Sequence, residues 1–351
     1  MVYLLTRIGN GSKKAKNNVF LLIAFFILFF VAATREMTIG NDTPNYLRLF
    51  KNCDIYKWHY LSINSYYEEG FVVFNILLSY LHISPRLFLA IMAFIFSFAA
   101  YKFIKDNSNN YLMSVLLFIN LLFFYQSMTM LRQFLAFSII ILFGFKYVKE
   151  KKLLRYILTI VFASLFHSSA VLAVFIFPLY HMKYSRKTVL LITIGSIVMA
   201  LFLTRIYPLI ASFLDKGTYY MERIGDIKIG NLIAMVMFLL MYVFSLIVIK
   251  KEKRQDYSFY LYALLFSAAI YFVSINMSVL NRATQYYAIF SIIALPNIVE
   301  ANMKESKLIV ESIIIGLFIL YSSVIMYSKP EWNSAYNYKT CLFQEEGYIC
   351  E

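Results

Sequence analysis

The chain has 351 residues, of which 61% are hydrophobic, 19% aromatic and only 15% charged, and its formal net charge is +14. Soluble domains carry nearer one quarter charged residues, so this composition, with a mean hydropathy of +0.68, excludes an ordinary soluble protein. The basic residues form short clusters and not a stripe interleaved with base-stacking aromatics. No nucleic-acid partner is therefore expected.

Repeated apolar runs predict an all-α polytopic integral membrane protein with a single transmembrane domain, residues 1–351, and 9 to 11 transmembrane helices. The first run is too long for a cleavable signal peptide and lacks a small-x-small cleavage site before Arg35. The predicted outward spans are 19–34, 111–127, 188–210, 257–275 and 308–327, and the predicted returning spans are 87–104, 130–148, 231–249 and 285–299.

Lys and Arg residues gather on alternate loops, and this asymmetry predicts the orientation. With the N-terminus in the cytoplasm, the inner side holds 20 Lys plus Arg against 6 acids, and the outer side holds 13 against 12. Cationic loops mark the cytoplasmic side of a membrane protein. We therefore expect a multi-pass protein of the bacterial inner membrane, with residues 35–70 as an outer loop and residues 328–351 as a periplasmic tail.

Two apolar segments do not fit simple crossings. The segment 71–82 is shorter than the roughly 20 residues that a helix needs to cross a bilayer. A crossing there would also place every later loop on the opposite side of the membrane. A short re-entrant or interfacial segment on the outer side is expected instead. Residues 153–181 have basic clusters at both ends, which predicts two short helices meeting near His167. Irregular backbone at that depth must be buried in protein or line a wet cavity.

Polar residues concentrate in the predicted outer loop, directly after the first span. The sequence there contains Gly40-Asn41-Asp42-Thr43-Pro44-Asn45-Tyr46, then Arg48, and later Glu68-Glu69-Gly70. A hydrophobic protein needs no such cluster to stay in a bilayer, so the cluster indicates binding. The Tyr and Trp residues of this loop offer faces for sugar rings, and an interfacial aromatic belt is the alternative interpretation.

Arg132 and His167 are the polar residues that stand out within apolar segments. Arg132 follows Met- and Ser-rich sequence at the outer end of a span, where an arginine is costly and usually functional. The alternatives are a lipid-headgroup anchor or a structural ion pair. His167 interrupts the apolar run 153–181. An imidazole titrates near neutral pH, as a general base should, and a hydrogen-bonded structural role is the alternative.

Two further spans carry polar residues. Asn281 and Arg282 precede Tyr286 at the outer end of the last returning span. A guanidinium there can hold a phosphate in bidentate fashion, and a simple interfacial anchor is the alternative. Glu311 is the only acid well inside a predicted span, and we expect it to form a helix–helix hydrogen bond.

The three cysteines, Cys53, Cys341 and Cys350, all fall on the predicted outer side. A disulfide between Cys341 and Cys350 would close a small loop in an oxidising periplasm, but the odd number of cysteines leaves the pairing open. The sequence has no CxxC or His-rich spacing, no Gly-rich phosphate loop, no GxSxG elbow and no HExxH motif. No metal and no cofactor are expected.

Four motifs, taken in order, resemble the EpsG-type branch of the Wzy polysaccharide polymerases. Members have Arg-x(n)-Gly-x-Asp-Thr-x-x-Tyr-x-x-x-Phe after the first span, which is matched by Arg35, Gly40, Asp42, Thr43, Tyr46 and Phe50. The next three elements are matched by Glu68-Glu69-Gly70-Phe71, Arg132-Gln133-Phe134-Leu135-Ala136 and Phe166-His167-Ser168-Ser169-Ala170. The resemblance spans residues 30–300 and departs at Ser168, where the family usually has a Lys-type residue.

This resemblance implies a polymerase that joins undecaprenyl-diphosphate-linked oligosaccharide repeat units into O-antigen, or a related surface polysaccharide, at the periplasmic face. The implied partners are these lipid-linked glycans and membrane lipids, and a chain-length regulator protein is a further candidate. An O-antigen ligase and a flippase or transporter of lipid-linked oligosaccharides are the alternatives. The Gly-x-Asp-Thr loop favours the polymerase over the ligase. The polar residues within the membrane segments lie mostly in the outer half of the predicted bundle, which disfavours transport.

Glycosyl transfer from a lipid diphosphate assigns roles to these residues. Arg132 and Arg282, with Arg35 third, are candidates for stabilising the departing diphosphate. His167 is the first candidate for the base that deprotonates the acceptor hydroxyl, and Asp42 is the second, unless it binds sugar hydroxyls instead. The predicted substrate contacts are Arg35, Asn45, Tyr46, Glu69, Gln133, Asn281 and Tyr286.

Overall fold

The computed structural model of the protein describes residues 12–64, 66–212, 229–275, 280–303, 305–328 and 338–341. Apart from one isolated β-bridge, the regular elements in these ranges are helices. The all-α class predicted from the sequence is thus confirmed for this part of the chain. The chain divides into two compact units, one formed by residues 1–171 and 309–351 and the other by residues 172–308.

The helices are numbered here in chain order. In the first unit they are α1 (Lys13–Ala33), α2 (Thr43–Tyr56), α3 (His59–Ile63), α4 (Glu69–Ser79), α5 (Pro85–Asn107), α6 (Tyr111–Asn120), α7 (Phe123–Thr129), α8 (Leu131–Lys149, with a π-helical turn at Ile140–Gly144) and α9 (Leu153–Ser164). After the 3₁₀ helix Ser168–Phe175 come α10 (Ile176–His181), α11 (Arg186–Ser212), α12 (Ile229–Val248), α13 (Ser258–Val273), α14 (Asn281–Ala288) and α15 (Ser291–Asn302). The last helix, α16 (Lys307–Ser328), returns the chain to the first unit.

Several of these helices have the length and composition of membrane spans. Among the described residues, five qualify: Lys14–Ala33, Pro85–Asn107, Leu131–Lys149, Ile229–Val248 and Lys307–Tyr327. Helices α6 and α7 would add a sixth if they form one span bent by 48°. Helices of this length and composition suit the hydrocarbon core of a bilayer. The chain is therefore a multi-pass membrane protein, and the larger number of spans expected from the sequence stays a prediction.

Two of the predicted spans have a different shape in the structure. The run at 257–275 forms α13, whose 16 residues fall short of the roughly 20 that a crossing helix needs. The run at 285–299 is divided between α14 and α15, which are separated at residues 289–290. Hydropathy registers the length of an apolar run and not the point where helical hydrogen bonding stops, so the sequence did not indicate this break.

Both segments that did not fit simple crossings form short elements. Helix α4, which overlaps the segment 71–82, has only 11 residues, and the re-entrant or interfacial position of this segment stays a prediction. After α9 the chain turns at residues 165–167 and continues as a 3₁₀ helix and α10. The break at His167 is therefore confirmed.

An aromatic core in the first unit holds α8 against α5 and α6. The ring of Phe96 on α5 meets that of Phe134 on α8 edge-on, with centroids 4.8 Å apart, and it lies 5.7 Å from the ring of Phe118 on α6. All three rings are buried. Aromatic pairs of this kind stabilise a core beyond their buried area alone, so the helix that carries Arg132 has a fixed position in this unit.

Polar contacts join α16 to α6 within the first unit. The Asn110 side chain donates to Glu311 Oε1 at 2.8 Å, and the Ser322 hydroxyl donates to Asn120 Oδ1 at 2.7 Å. The helix–helix hydrogen bond expected for Glu311 is confirmed. A polar group inside a membrane segment is costly unless it is paired in this way.

The described part of the C-terminal tail pairs with the chain just after α1. Thr340 and Arg35 form an antiparallel bridge, and the Glu36 N–H donates to the Lys339 carbonyl at 2.9 Å. Residues 338–341 and the start of the segment 35–70 therefore lie at the same end of α1, as the predicted topology requires. Cys350 lies outside the described residues, so its disulfide with Cys341 stays a prediction.

A tyrosine network organises one end of the second unit. The hydroxyls of Tyr184 and Tyr242 lie 2.7 Å apart. The Tyr262 hydroxyl accepts from the Ser185 N–H and donates to the Lys183 carbonyl, both at 2.9 Å. This network brings the chain before α11 next to α12 and α13. Basic clusters predicted to face the cytoplasm adjoin it, at the start of α11 and after α12.

Candidate functional site

The carboxylate of Glu68 is the centre of the site that the first unit builds. Its Oε2 forms an ion pair with Nη1 of Arg132, and its Oε1 lies 3.2 Å from Nδ1 of His167. The Ser168 N–H also donates to Oε1, at 3.2 Å. Two of the predicted catalytic residues, far apart in sequence, therefore meet on one carboxylate. We call Arg132, Glu68 and His167 the Glu68 cluster.

The start of α4 positions Glu68. The residue is the N-cap of α4, in extended backbone conformation, and its carbonyl accepts from the N–H groups of Phe71 at 3.0 Å and Val72 at 3.1 Å. Gly70 lies directly against the break that carries His167, because a Cβ added to it would stand 2.6 Å from Leu165 Cβ. A glycine is needed here so that the helix start can approach the break closely.

The break before α8 positions Arg132. Helix α7 ends at Thr129, and Met130 has φ −101° and ψ 59° before α8 begins at Leu131. The carbonyl of Met128, near the end of α7, accepts hydrogen bonds from side chains of the segment after α1. Arg35 Nη2 donates to it at 3.3 Å, and the Thr43 hydroxyl lies 3.1 Å from it.

Arg35 is buried in this arrangement, with 1% of its surface exposed. Its guanidinium also donates to the carbonyls of Ala32 at 2.7 Å and Ile39 at 3.4 Å. Burial lowers the pKa of Arg35 to about 10, so it stays charged at neutral pH. The side chain thus binds main-chain carbonyls at the turn that carries the Gly-x-Asp-Thr motif.

Three tyrosine rings surround the guanidinium of Arg132. Its carbon Cζ lies 4.9 Å from the ring centroid of Tyr67, 5.6 Å from that of Tyr66 and 5.9 Å from that of Tyr46. Cation–π contacts of this kind hold an arginine in place. Tyr46 is buried, whereas 58% of the Tyr66 surface is exposed.

The Asn64 side chain builds the turn that presents these rings. Its Oδ1 accepts from the N–H groups of Tyr66 at 3.4 Å and Tyr67 at 3.0 Å, and its Nδ2 donates to the Tyr67 carbonyl at 2.7 Å. Asn side chains favour turns because they can replace such main-chain contacts. The turn leads straight into Glu68.

The charge state of the site follows from its surroundings. Burial alone would raise the pKa of Glu68, but the hydrogen bond with His167 and the charge of Arg132 outweigh it and lower that pKa to about 2. Burial raises the pKa of Tyr67 to about 12. At neutral pH the site therefore holds the ionised carboxylate of Glu68 beside the neutral phenol of Tyr67.

The other predicted residues of the first unit lie around this site. Asp42 is the N-cap of α2, makes no side-chain capping bond, and accepts from the Tyr46 N–H at 3.1 Å through its carbonyl. The Asn45 carbonyl accepts from the Tyr67 hydroxyl at 3.4 Å. Gln133, beside Arg132, is 2% exposed. Asp42 and Asn45 are thus linked through main-chain atoms to two of the tyrosines on Arg132.

Glu68 itself was missed by the sequence reasoning, which chose Glu69. Glu69 is exposed as the first residue of α4, while Glu68 turns its carboxylate to Arg132 and His167. A pair of adjacent acids before a helix could have indicated that one of them is the N-cap. It could not indicate which one faces two residues from distant segments.

The predicted residues Asn281, Arg282 and Tyr286 belong to the second unit. The Asn281 side chain donates to Asn231 Oδ1 at 3.0 Å, and Asn231 donates to the Ser274 carbonyl at 2.7 Å. Arg282 is half-buried in the first turn of α14, and Tyr286 is 1% exposed. These residues form a polar end of α14, α12 and α13 within that unit.

The comparisons with known proteins agree with the motifs. A family model described as the EpsG family matches residues 18–340. No curated protein and no solved structure matches the chain. The matched range includes the Glu68 cluster and the polar end of α14.

Proposed function

The chain belongs to the EpsG family, a family of Wzy-like polymerases, and we propose that it is a polysaccharide polymerase. In this proposal it joins undecaprenyl-diphosphate-linked oligosaccharide repeat units into O-antigen or a related surface polysaccharide. The multi-pass membrane character of the chain suits a substrate that is anchored in lipid. A chain-length regulator protein is a further proposed partner.

The observation that carries the proposal is the convergence of Arg132 and His167 on Glu68. Transfer of a sugar from a lipid diphosphate needs positive charge where the leaving group develops negative charge. It also needs a base within reach of the acceptor hydroxyl. The Glu68 cluster supplies both groups on one carboxylate, next to exposed tyrosine surface that can meet a sugar.

The proposed step is a direct displacement at the anomeric carbon. The acceptor hydroxyl gives its proton to His167 while its oxygen forms the new bond to that carbon. The bond between the carbon and the diphosphate oxygen breaks, and the leaving diphosphate keeps the electron pair. Arg132 offsets the charge that this places on the diphosphate. A displacement of this kind inverts the anomeric configuration.

The remaining predicted residues take supporting roles in the proposal. Arg282 is assigned to the diphosphate, with Arg35 third in that role after Arg132. Asp42 is assigned to the sugar hydroxyls, or to the base if His167 is not the base. The proposed substrate contacts are Asn45, Tyr46, Glu69, Gln133, Asn281 and Tyr286.

We also propose that the protein lies in the bacterial inner membrane with the N-terminus in the cytoplasm, 9 to 11 spans and the site at the periplasmic face. The charge asymmetry of the loops supports this orientation. So does the pairing of Thr340 with Arg35, because the predicted topology puts both residues on the periplasmic side.

The surface-polysaccharide profile of a deletion strain tests the proposed function. If the protein is the polymerase, the gel shows core carrying a single repeat unit and no long chains. Polymer that accumulates on the carrier lipid would indicate a ligase instead. Polysaccharide chains of wild-type length in the deletion strain would contradict the proposed function.

A further inference from the structure

We propose that Glu68 is a positioning residue that sets the tautomer of His167 and links its charge to Arg132. This inference rests on the proposed function and concerns the same site. In this proposal Glu68 does not contact the substrate. The carboxylate acts through the two side chains that it contacts.

The contact with Nδ1 determines which nitrogen of His167 is the base. An ionised carboxylate only accepts hydrogen bonds, so Oε1, at 3.2 Å from Nδ1, favours the form of the ring with its proton on Nδ1. In that form Nε2 carries the lone pair. The acceptor hydroxyl must therefore give its proton to Nε2, on the far side of the ring from Glu68.

The carboxylate is itself held by three residues from two segments of the chain. Arg132 at the start of α8 binds Oε2, and the His167 ring and the Ser168 N–H from the break after α9 both meet Oε1. Donors on both oxygens fix the plane of the carboxylate. A general base is effective only when it is oriented within hydrogen-bond reach of its proton, and this arrangement supplies the orientation.

The cluster also changes charge in the direction that the reaction needs. While His167 is neutral, the charges of Arg132 and Glu68 cancel. When His167 takes the proton of the acceptor hydroxyl, the cluster gains one positive charge. The leaving diphosphate gains negative charge in the same step, so proton transfer and charge stabilisation support each other in a site whose charged groups are largely buried.

The charged and titratable groups that face this carboxylate in the described structure are Arg132 and His167. The rings of Tyr46, Tyr66 and Tyr67 lie 4.9 to 5.9 Å from the guanidinium carbon of Arg132. Burial raises the pKa of Tyr67 to about 12, so that group does not titrate in the working range. The pH dependence assigned to the cluster therefore belongs to Glu68 and His167.

The test uses the purified full chain in detergent with a lipid-diphosphate-linked repeat unit, and compares Glu68→Gln, Glu68→Asp and Asp54→Asn with the wild type. Asp54→Asn is the matched control, because Asp54 is an exposed carboxylate on α2, in the same outer segment 35–70, and is paired with Lys57. We expect Glu68→Gln to lower kcat by about 100-fold or more, as loss of the carboxylate behind a catalytic histidine does elsewhere. The KM should change by less than about threefold, because the group lost supports only the chemical step.

The pH–rate profile separates positioning from a merely structural role. Without the carboxylate the imidazolium is less stable, so the acidic limb of the kcat profile should move to lower pH in Glu68→Gln. Glu68→Asp keeps the charge and should keep the wild-type limb at a reduced kcat. It also decides the matter if Glu68→Gln does not fold.

Unchanged kcat and pH limb in the Glu68 variants, or a higher KM alone, would overturn the positioning role. Wild-type protein that forms no polymer would instead contradict the proposed function. Failure of the positioning role and failure of the proposed function therefore give different results.

Discussion

Gly40 lies against the main-chain carbonyl of Met128: a Cβ added to Gly40 would stand 2.4 Å from that oxygen. The glycine has φ +98°, a conformation that other residues rarely adopt. The same carbonyl also binds Arg35 and Thr43. The conspicuous polar motif after the first span therefore packs on the break that precedes Arg132.

Gly40→Ala is expected to destabilise the protein, because both the backbone conformation and the contact with Met128 exclude a side chain. The expected loss is about 1–3 kcal/mol, measured as a lower thermal unfolding midpoint in detergent. Gly195→Ala is the control, since a Cβ there meets nothing within 4 Å. Equal midpoints for the two variants would contradict the contact.

Gly70→Ala tests the approach of α4 to the break at His167. A Cβ at this position would lie 2.6 Å from Leu165 Cβ, so α4 must move and Glu68 must move with it. We expect at least about a tenfold lower kcat, since small misplacements of catalytic groups are costly, at a normal level of protein in the membrane. Gly316→Ala, where the structure leaves open space, should keep wild-type activity. Full activity in Gly70→Ala would show that this packing does not position the site.

Arg35→Lys examines what the buried guanidinium does. A lysine cannot donate to three carbonyls in the fork geometry of arginine, so we expect a lower unfolding midpoint and lower activity. Arg48→Lys, at an exposed position of α2, should leave both unchanged. A higher KM in Arg35→Lys with an unchanged midpoint would instead favour the role in substrate binding predicted from the sequence.

Acid should destabilise the folded protein partly through Glu68. Its pKa is lowered from 4.5 to about 2, so the unfolded chain takes up the proton first as the pH falls. The stabilisation is complete above pH 4.5 and is lost as the pH falls through about 2. We expect it to amount to about 1–2 kcal/mol, allowing for partial exposure of the carboxylate.

The measurement for this prediction is the unfolding midpoint as a function of pH, for the wild type and for Glu68→Gln. The midpoint of the wild type should fall more steeply with acid than that of the variant. Parallel curves would show that the ion pair and hydrogen bond of Glu68 do not stabilise the fold.

The double variant Arg132→Ala/Glu68→Gln tests whether the two residues act as a pair. Removing Arg132 alone leaves a half-buried carboxylate without its cation, which is costly. Replacing Glu68 by its neutral amide in the same protein should recover part of that loss, by about 1–3 kcal/mol. Strictly additive unfolding energies would contradict the pairing.

The sequence predicted the all-α class and two features that follow from polar groups in apolar runs, but not the number and the breaks of the spans. The long run 153–181, with basic residues at both ends, indicated the break at His167, and the isolated Glu311 indicated a helix–helix contact. Both follow from the cost of polar groups in a membrane. Neither needs knowledge of which helices are neighbours.

The sequence could not predict what depends on contacts between distant segments. Which of Glu68 and Glu69 faces Arg132 and His167 depends on which of them is the N-cap of α4 and which is its first helical residue. The burial of Arg35 depends on the position of the Met128 carbonyl. A one-residue difference at a helix start turns a side chain to another face. The motif positions were visible, but the partners of each side chain were not.

The most direct test of the proposed mechanism is polymer formation by the purified protein in detergent from a lipid-diphosphate-linked repeat unit. The wild type should lengthen the glycan, whereas Arg132→Ala and His167→Ala should fold but form no product beyond a single unit. A wild-type protein that leaves the repeat units unjoined, or a His167→Ala protein that joins them at the wild-type rate, would contradict the proposed mechanism.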